Sequence, residues 1–206
     1  MLINMEQRPA AAACLVYPLP SITAPLELEK LFSSSQPLEV ELGSGDGSFL
    51  LDYAGRHPER NFIGVERLMG RIKKLDRKGR RAGLTNLRGV RIECGYLLRY
   101  LLPAASVRVV HVYFPDPWPK RKHWGKRLVN ADFPALLARC LEPRGNLLLR
   151  TDDRDYYDQM QAVLQAASSF IPMETPVEVV EIVTDFERDF LSRGVRTLRA
   201  AYRFTG

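Results

Sequence analysis

The chain's 206 residues, 46% hydrophobic and 26% charged, suit one folded domain and exclude a second large one, at ~100–200 residues per domain. Thirty Lys and Arg against twenty-four Asp and Glu leave a formal charge of +6, which points to an acidic or polyanionic partner. Cys14, Cys94 and Cys140 lie far apart, with no C-x-x-C pair and no histidine at ligand spacing, so neither a disulfide framework nor a metal site is expected.

Residues 1–25 read as an arm or loop, because Pro9, Pro18, Pro20 and Pro25 deny backbone donors to a regular element. The same prolines, following Glu6 and Arg8, resemble neither a secretory leader nor a membrane span, so a cytoplasmic protein with no membrane partner is expected. Residues 26–206 then read as a single domain. Leu26–Phe32 suits a short helix. Apolar runs at Leu38–Leu42, Asn61–Val65, Leu87–Ile92, Val107–Tyr113 and Asn146–Arg150 predict strands, and the helical patterns between them are the signature of parallel β-α-β units. Val177–Val183 and Thr197–Phe204 are expected as an antiparallel pair, with no room for a helix of any length between them. The fold class is therefore α/β: a three-layer, Rossmann-like arrangement with a mostly parallel sheet and an antiparallel C-terminal edge.

The run Glu39-Val-Glu-Leu-Gly-Ser-Gly-Asp-Gly47 puts Gly43, Gly45 and Gly47 where a strand turns into a helix, so that backbone can come close to a ligand. Tight turns of this kind also occur without one. The spacing is G-x-G-x-G rather than G-x-G-x-x-G, and Glu41 stands just before the first glycine, where it would repel a pyrophosphate. A sulfonium and an ammonium would be welcome there, which favours S-adenosylmethionine over a nicotinamide dinucleotide. Glu66, at the end of the next strand, takes the position of the acid expected on ribose hydroxyls about 20 residues after the glycine loop.

Val107-Arg-Val-Val-His-Val-Tyr-Phe-Pro-Asp-Pro-Trp-Pro-Lys120 ends a strand in three prolines within five residues, which fix Asp116 and Trp118 at the sheet edge where ligands of such sheets bind. Asp-Pro-Trp is similar to the Asn/Asp-Pro-Pro-aromatic clamp of amino-group methyltransferases; a purely structural proline corner is the plain alternative. Directly after it, Lys120-Arg-Lys-His-Trp-Gly-Lys-Arg127 packs five cations, a histidine and an indole into eight positions, the mixture that phosphate contacts and base stacking require. In the helix after Glu66, Arg67, Arg71, Lys74, Lys78 and Arg81 share one stripe, and Leu68, Ile72 and Leu75 another. The first stripe faces either solvent or a polyanion.

From about Leu38 to Phe204 the chain resembles the tRNA (guanine-N7)-methyltransferases of the single-chain bacterial type. Tyr113-Phe-Pro-Asp-Pro-Trp-Pro-Lys-Arg-Lys-His-Trp-Gly-Lys-Arg-Leu-Val129 is close to diagnostic, and Arg150-Thr-Asp152 and Thr184-Asp-Phe-Glu187 accompany it. The resemblance implies a class I methyltransferase fold, S-adenosylmethionine and no metal, and methylation of guanosine 46 in the tRNA variable loop. It also implies Glu41, Glu66 and Asp116 at the cofactor, with Asp116 catalytic. Lys120, Asp152, Thr184, Asp185, Phe186 and Glu187 would meet the substrate, and Arg121, Lys122, His123, Lys126 and Arg127 would lie along the RNA. Cys94-Gly-Tyr96 stands where the family carries an Asp at the adenine, and Tyr96 is counted among the cofactor residues as a ring able to stack. A monomer or homodimer is expected. Two readings stand beside this one: a methyltransferase acting on an exocyclic base amine, and a noncatalytic RNA-binding protein on the same fold.

Overall fold

A computed structural model describes residues 14–206. Its strands are β1 (Val16–Tyr17), β2 (Leu38–Leu42), β3 (Asn61–Val65), β4 (Leu87–Val90), β5 (Val107–Tyr113), β6 (Leu141–Thr151), β7 (Phe170–Met173) and β8 (Leu198–Phe204). They form one sheet in the order β1-β4-β3-β2-β5-β6-β8-β7. β1 to β6 pair in parallel, and β8 runs antiparallel to both β6 and β7. Every residue of β2 and β3 is buried, as a parallel strand covered on both faces must be. The cover on one face is α1 (Ser48–Arg56) and α2 (Met69–Arg81), which bring Phe49, Leu50, Tyr53 and Leu75 against Phe62 and Leu87. On the other, α4 (Phe133–Cys140) and α5 (Arg154–Gln165) pack Leu137, Tyr156 and Met160 onto Val40, Val110 and Leu147. α3 (Cys94–Tyr96) runs on into a π-helical turn, Leu97–Leu101.

The chain moves outward from β2 through β3 to β4 and then returns to place β5 on the other side of β2. That reversal opens a crevice at the C-terminal ends of β2 and β5, where ligands of open α/β sheets bind.

Two expectations are corrected. The N-terminal segment, read as arm or loop, contains one two-residue strand: the Leu15 N–H donates to Asp76 Oδ1 at 2.7 Å, its carbonyl accepts from Gly89 at 2.8 Å, and Val16–Tyr17 pairs with β4. Pro18, Pro20 and Pro25 follow this strand instead of preventing it; Pro9 and the alanines at 10–13 lie outside the described residues. At the other end, Val177–Val183 is not a strand. Pro176 opens α6 (Val177–Val180), and α7 (Asp185–Ser192) fills the interval read as too short for a helix. The antiparallel pair that closes this edge is β8 with Phe170–Met173, whose Pro172 is tolerated because β7 is the edge strand. No helix among the described residues is long and apolar enough to cross a membrane.

Candidate active site

Gly43, Gly45 and Gly47 all have left-handed backbone, with φ of 87°, 56° and 82°. The N–H groups of Gly43 and Ser44 donate to the Val65 carbonyl at 2.9 and 2.8 Å, which ties the loop to the end of β3. A Cβ at Gly43 or Gly45 would meet nothing within 4 Å, so the loop faces open space. Beneath it, the Glu41 carboxyl is only 4% exposed, and both Glu41 Oε2 and Ser44 Oγ are buried with no hydrogen-bond partner. Burial pushes Glu41 up to about 8; Arg150 pulls against this, and Asp46 and Glu66 add to it. Glu66 is buried at the end of β3, its Oε1 accepting from the Leu68 N–H at 2.7 Å. A crevice floored by acids, one of them lacking any donor, suits a ligand bearing cationic and hydroxyl groups and rejects a pyrophosphate.

Tyr96 ends α3. Its hydroxyl donates to the Ile22 carbonyl at 2.8 Å and its ring tilts against Tyr100 at 4.7 Å, while Glu93 caps the turn by accepting from Gly95 and Tyr96. Cys94 lies closer to the glycine loop, with the Gly43 backbone beside its sulfur; burial, then Glu93 and Glu66, push its thiol up to about 12. It is an inert thiol that fills space beside the crevice.

Asp116 projects from a strained corner at the end of β5. Phe114 and Trp118, on either side of Pro115-Asp116-Pro117, both have positive φ, 51° and 45°, where bulky residues are true outliers. The surroundings hold them there. Phe114 N–H donates to the Arg150 carbonyl at 2.8 Å and its ring meets Phe190 at 5.6 Å; Trp118 is flanked by the His123 edge at 5.7 Å and Lys126 at 4.8 Å. Asp116 itself is exposed and has no ion-pair or hydrogen-bond partner among the described residues. Lys126 takes one face of the Trp118 indole, which remains partly exposed.

Residues 35–200 match a family model described as "Putative methyltransferase". The tRNA (guanine-N(7)-)-methyltransferase of Leifsonia xyli subsp. xyli is 40% identical over 168 residues, covering 79% of this chain and 74% of that protein. The chain belongs to the tRNA (guanine-N(7)-)-methyltransferase family. A second member, from Nitrosomonas eutropha, is 35% identical over 155 residues, covering 75% of this chain and 69% of its own. The 16S rRNA methyltransferase KamB shares the fold, with a TM-score of 0.63 at 18% identity, over 87% of this chain and 93% of that one.

In this family member the basic segment after Asp116 is folded back at one end, with Arg127 buried and its other four cations exposed. Residues Arg121–Lys126 form a 3-10 turn, and Arg121 lies 5.6 Å over Trp124. Arg127, expected along the RNA, is buried at 1% exposure between the rings of Trp124 and Tyr156, at 4.6 and 4.7 Å. It donates to the Pro117 carbonyl at 2.7 Å, to Asp155 at 2.8 Å and to Gln159. Those acceptors and rings leave it no surface to offer; Lys120, Arg121, Lys122 and Lys126 remain exposed.

The tRNA-methyltransferase segment 184–187 divides in the same way. Phe186 is half-exposed and stands 6.5 Å from Phe190, which extends the aromatic wall begun by Phe114. Asp185 is exposed and paired with Arg188. Thr184 and Glu187 are buried as a capping box on α7, and Glu187 also takes Arg150 at 2.8 Å and Arg199 at 2.7 Å. Glu187, expected on the substrate, is spent on internal contacts. Asp152 is half-buried past the end of β6, with no ion pair among the described residues. Arg150 has a role that the sequence reading misses: buried at 1%, it also donates to the Val179 and Ile182 carbonyls and so latches α6 and α7 to the sheet. The signal for it is its place in a strand buried on both faces, where an arginine needs a carboxylate as partner. No group of three His, Cys, Asp or Glu side chains among the described residues is placed to hold a metal.

Proposed function

We propose that this protein transfers a methyl group from S-adenosylmethionine to N7 of guanosine 46 in the variable loop of tRNA. The observation that carries the reading is a juxtaposition on neighbouring strands. A buried carboxylate without a donor, Glu41 on β2, stands beside a strained corner after β5 that presents Asp116 to solvent. The family membership of the chain gives that pair its substrate.

When bound, S-adenosylmethionine supplies an activated methyl on a sulfonium. Glu41 compensates its positive charge and Glu66 receives its ribose hydroxyls, while the open glycine loop admits it without a side-chain clash. Guanine N7 has a lone pair and no proton, so the attack needs alignment and removal of water, not a strong base. Phe186, with Phe190 and Phe114 behind it, offers a ring to the purine. Asp116 stabilises the positive charge that the purine gains, and with Asp152 it can accept from N1–H and the amino group, which selects guanine over adenine.

Purified protein, labelled donor and an unmodified tRNA transcript test this directly: the product cleaves after borohydride and aniline if N7 is methylated, and does not if an exocyclic amine is. Asp116→Ala should retain its melting temperature and lose turnover by about 100-fold or more. Near wild-type turnover would remove Asp116 from the mechanism. Cofactor affinity should also depend on pH. The free Glu41 carboxyl titrates at about 8, and a bound cation favours its ionised form. Binding below that pH therefore releases a proton, and affinity should rise up to about tenfold per pH unit toward pH 8 and then level off. Calorimetry in buffers of different ionisation enthalpy reads the proton; a flat profile with no proton released would separate Glu41 from the cation.

A further inference from the structure

Helix α2 carries Arg71, Lys73, Lys74, Arg77, Lys78, Arg80 and Arg81 against the single Asp76, which equals the net +6 of the whole chain. Ile72, Leu75 and Gly79 form its buried stripe, and at 100° per residue the cations fall outside it. Those bordering the stripe have internal partners: Arg71 faces Glu66 at 3.8 Å, Lys78 pairs with Asp46 at 2.6 Å, and Arg80 reaches Asp76 at 3.9 Å. The outermost four, Lys73, Lys74, Arg77 and Arg81, are not ion-paired to any described residue. Lys73 and Arg77, Lys74 and Lys78, and Arg77 and Arg81 sit four apart, each a destabilising like-charge pair, and Arg71 in the first turn opposes the helix dipole. A surface kept merely soluble would intersperse acids here. A membrane is a poor match, because the apolar face of the helix is already used by the core.

Resting on the proposed tRNA substrate, we infer that the outer face of α2 is a second docking surface for the RNA backbone, distinct from the segment that follows Asp116. The helix starts just after Glu66 at the catalytic edge and runs away from it for ~20 Å on the face opposite α4 and α5. An RNA bound there is gripped away from the target guanine, so the enzyme reads a folded tRNA and not only its variable loop.

The test is a variant in which Lys73→Gln, Lys74→Gln, Arg77→Gln and Arg81→Gln are combined, compared with wild type for binding of a tRNA transcript over a range of salt. Its affinity should fall about tenfold or more at ~0.1 M salt, and the slope of log affinity against log salt should flatten by roughly 0.9 for each phosphate of duplex-like RNA that the variant no longer neutralises. Melting temperature should hold or rise slightly as the like-charge pairs are removed, and cofactor affinity should hold. In hydroxyl-radical footprinting the variant should lose protection of a backbone tract that excludes the target guanine and keep protection around it. Unchanged affinity and slope, protection lost only at the target, or retention on anionic vesicles with tRNA binding intact would each overturn the inference. Absence of any tRNA methylation by the wild type would instead refute the proposed function, whatever the variant does.

Discussion

Two stretches of this chain carry cations at similar density, Lys120–Arg127 and helix α2, and the fold treats them in opposite ways. In the first, aromatic residues lie among the cations: Arg121 and Arg127 take the faces of Trp124, Lys126 takes a face of Trp118, and Arg127 ends buried beneath the Asp116 corner. In the second no ring is interleaved, the apolar residues sit on one stripe, and four cations are left facing outward. Charge density alone therefore does not distinguish a cation that shapes a site from one that meets a ligand. What distinguishes them is whether planar partners are within reach, since a guanidinium gives up water readily when rings and carbonyls replace it.

The sharpest way to break this contrast is Arg127→Met. It strands the Pro117 carbonyl and Gln159, while Asp155, 62% exposed, turns to water, so the cost should be about 2–4 kcal/mol. A melting curve should drop by roughly 5–12 °C, and turnover should fall as the Asp116 corner loosens, with the salt dependence of tRNA binding unaltered. A changed salt slope would return Arg127 to the RNA. Lys126→Met is milder: losing a cation over an accessible indole should lower the melting temperature by about 1–3 °C. Smallest of all, Lys74→Glu should leave stability unchanged or raise it by about 1 °C, because it replaces repulsion with Arg71, Arg77 and Lys78 by attraction. A clear loss of stability there would mean that the outer face of α2 is structurally occupied.

The central strands are legible residue by residue. Leu38–Leu42, Asn61–Val65 and Val107–Tyr113 lie in the covered middle of the sheet, and apolar runs bounded by breakers leave little choice. The ends are harder. Val177-Glu-Val-Val alternates enough to imitate a strand, while the true edge strand hides behind Pro172. The start of α7 is written in Thr184-Asp-Phe-Glu187, a capping-box pattern, yet the same four residues also look like substrate contacts. In the site, Glu41, Glu66 and the three glycines follow from local order along the chain. The burial of Arg127 and the positive φ at Phe114 and Trp118 do not, because they depend on Tyr156, Asp155 and Phe190, brought in from distant sequence.

Glu187 serves three masters at once: it closes the first turn of α7 and receives arginines from two different strands. A side chain so engaged will register as essential in any screen that counts methylated product, although no nucleotide need ever approach it. Mapping the footprint of the nucleic acid from loss-of-product data would thus draw the boundary one layer too deep, and only measurements on the unliganded protein would reveal that the lesion was architectural.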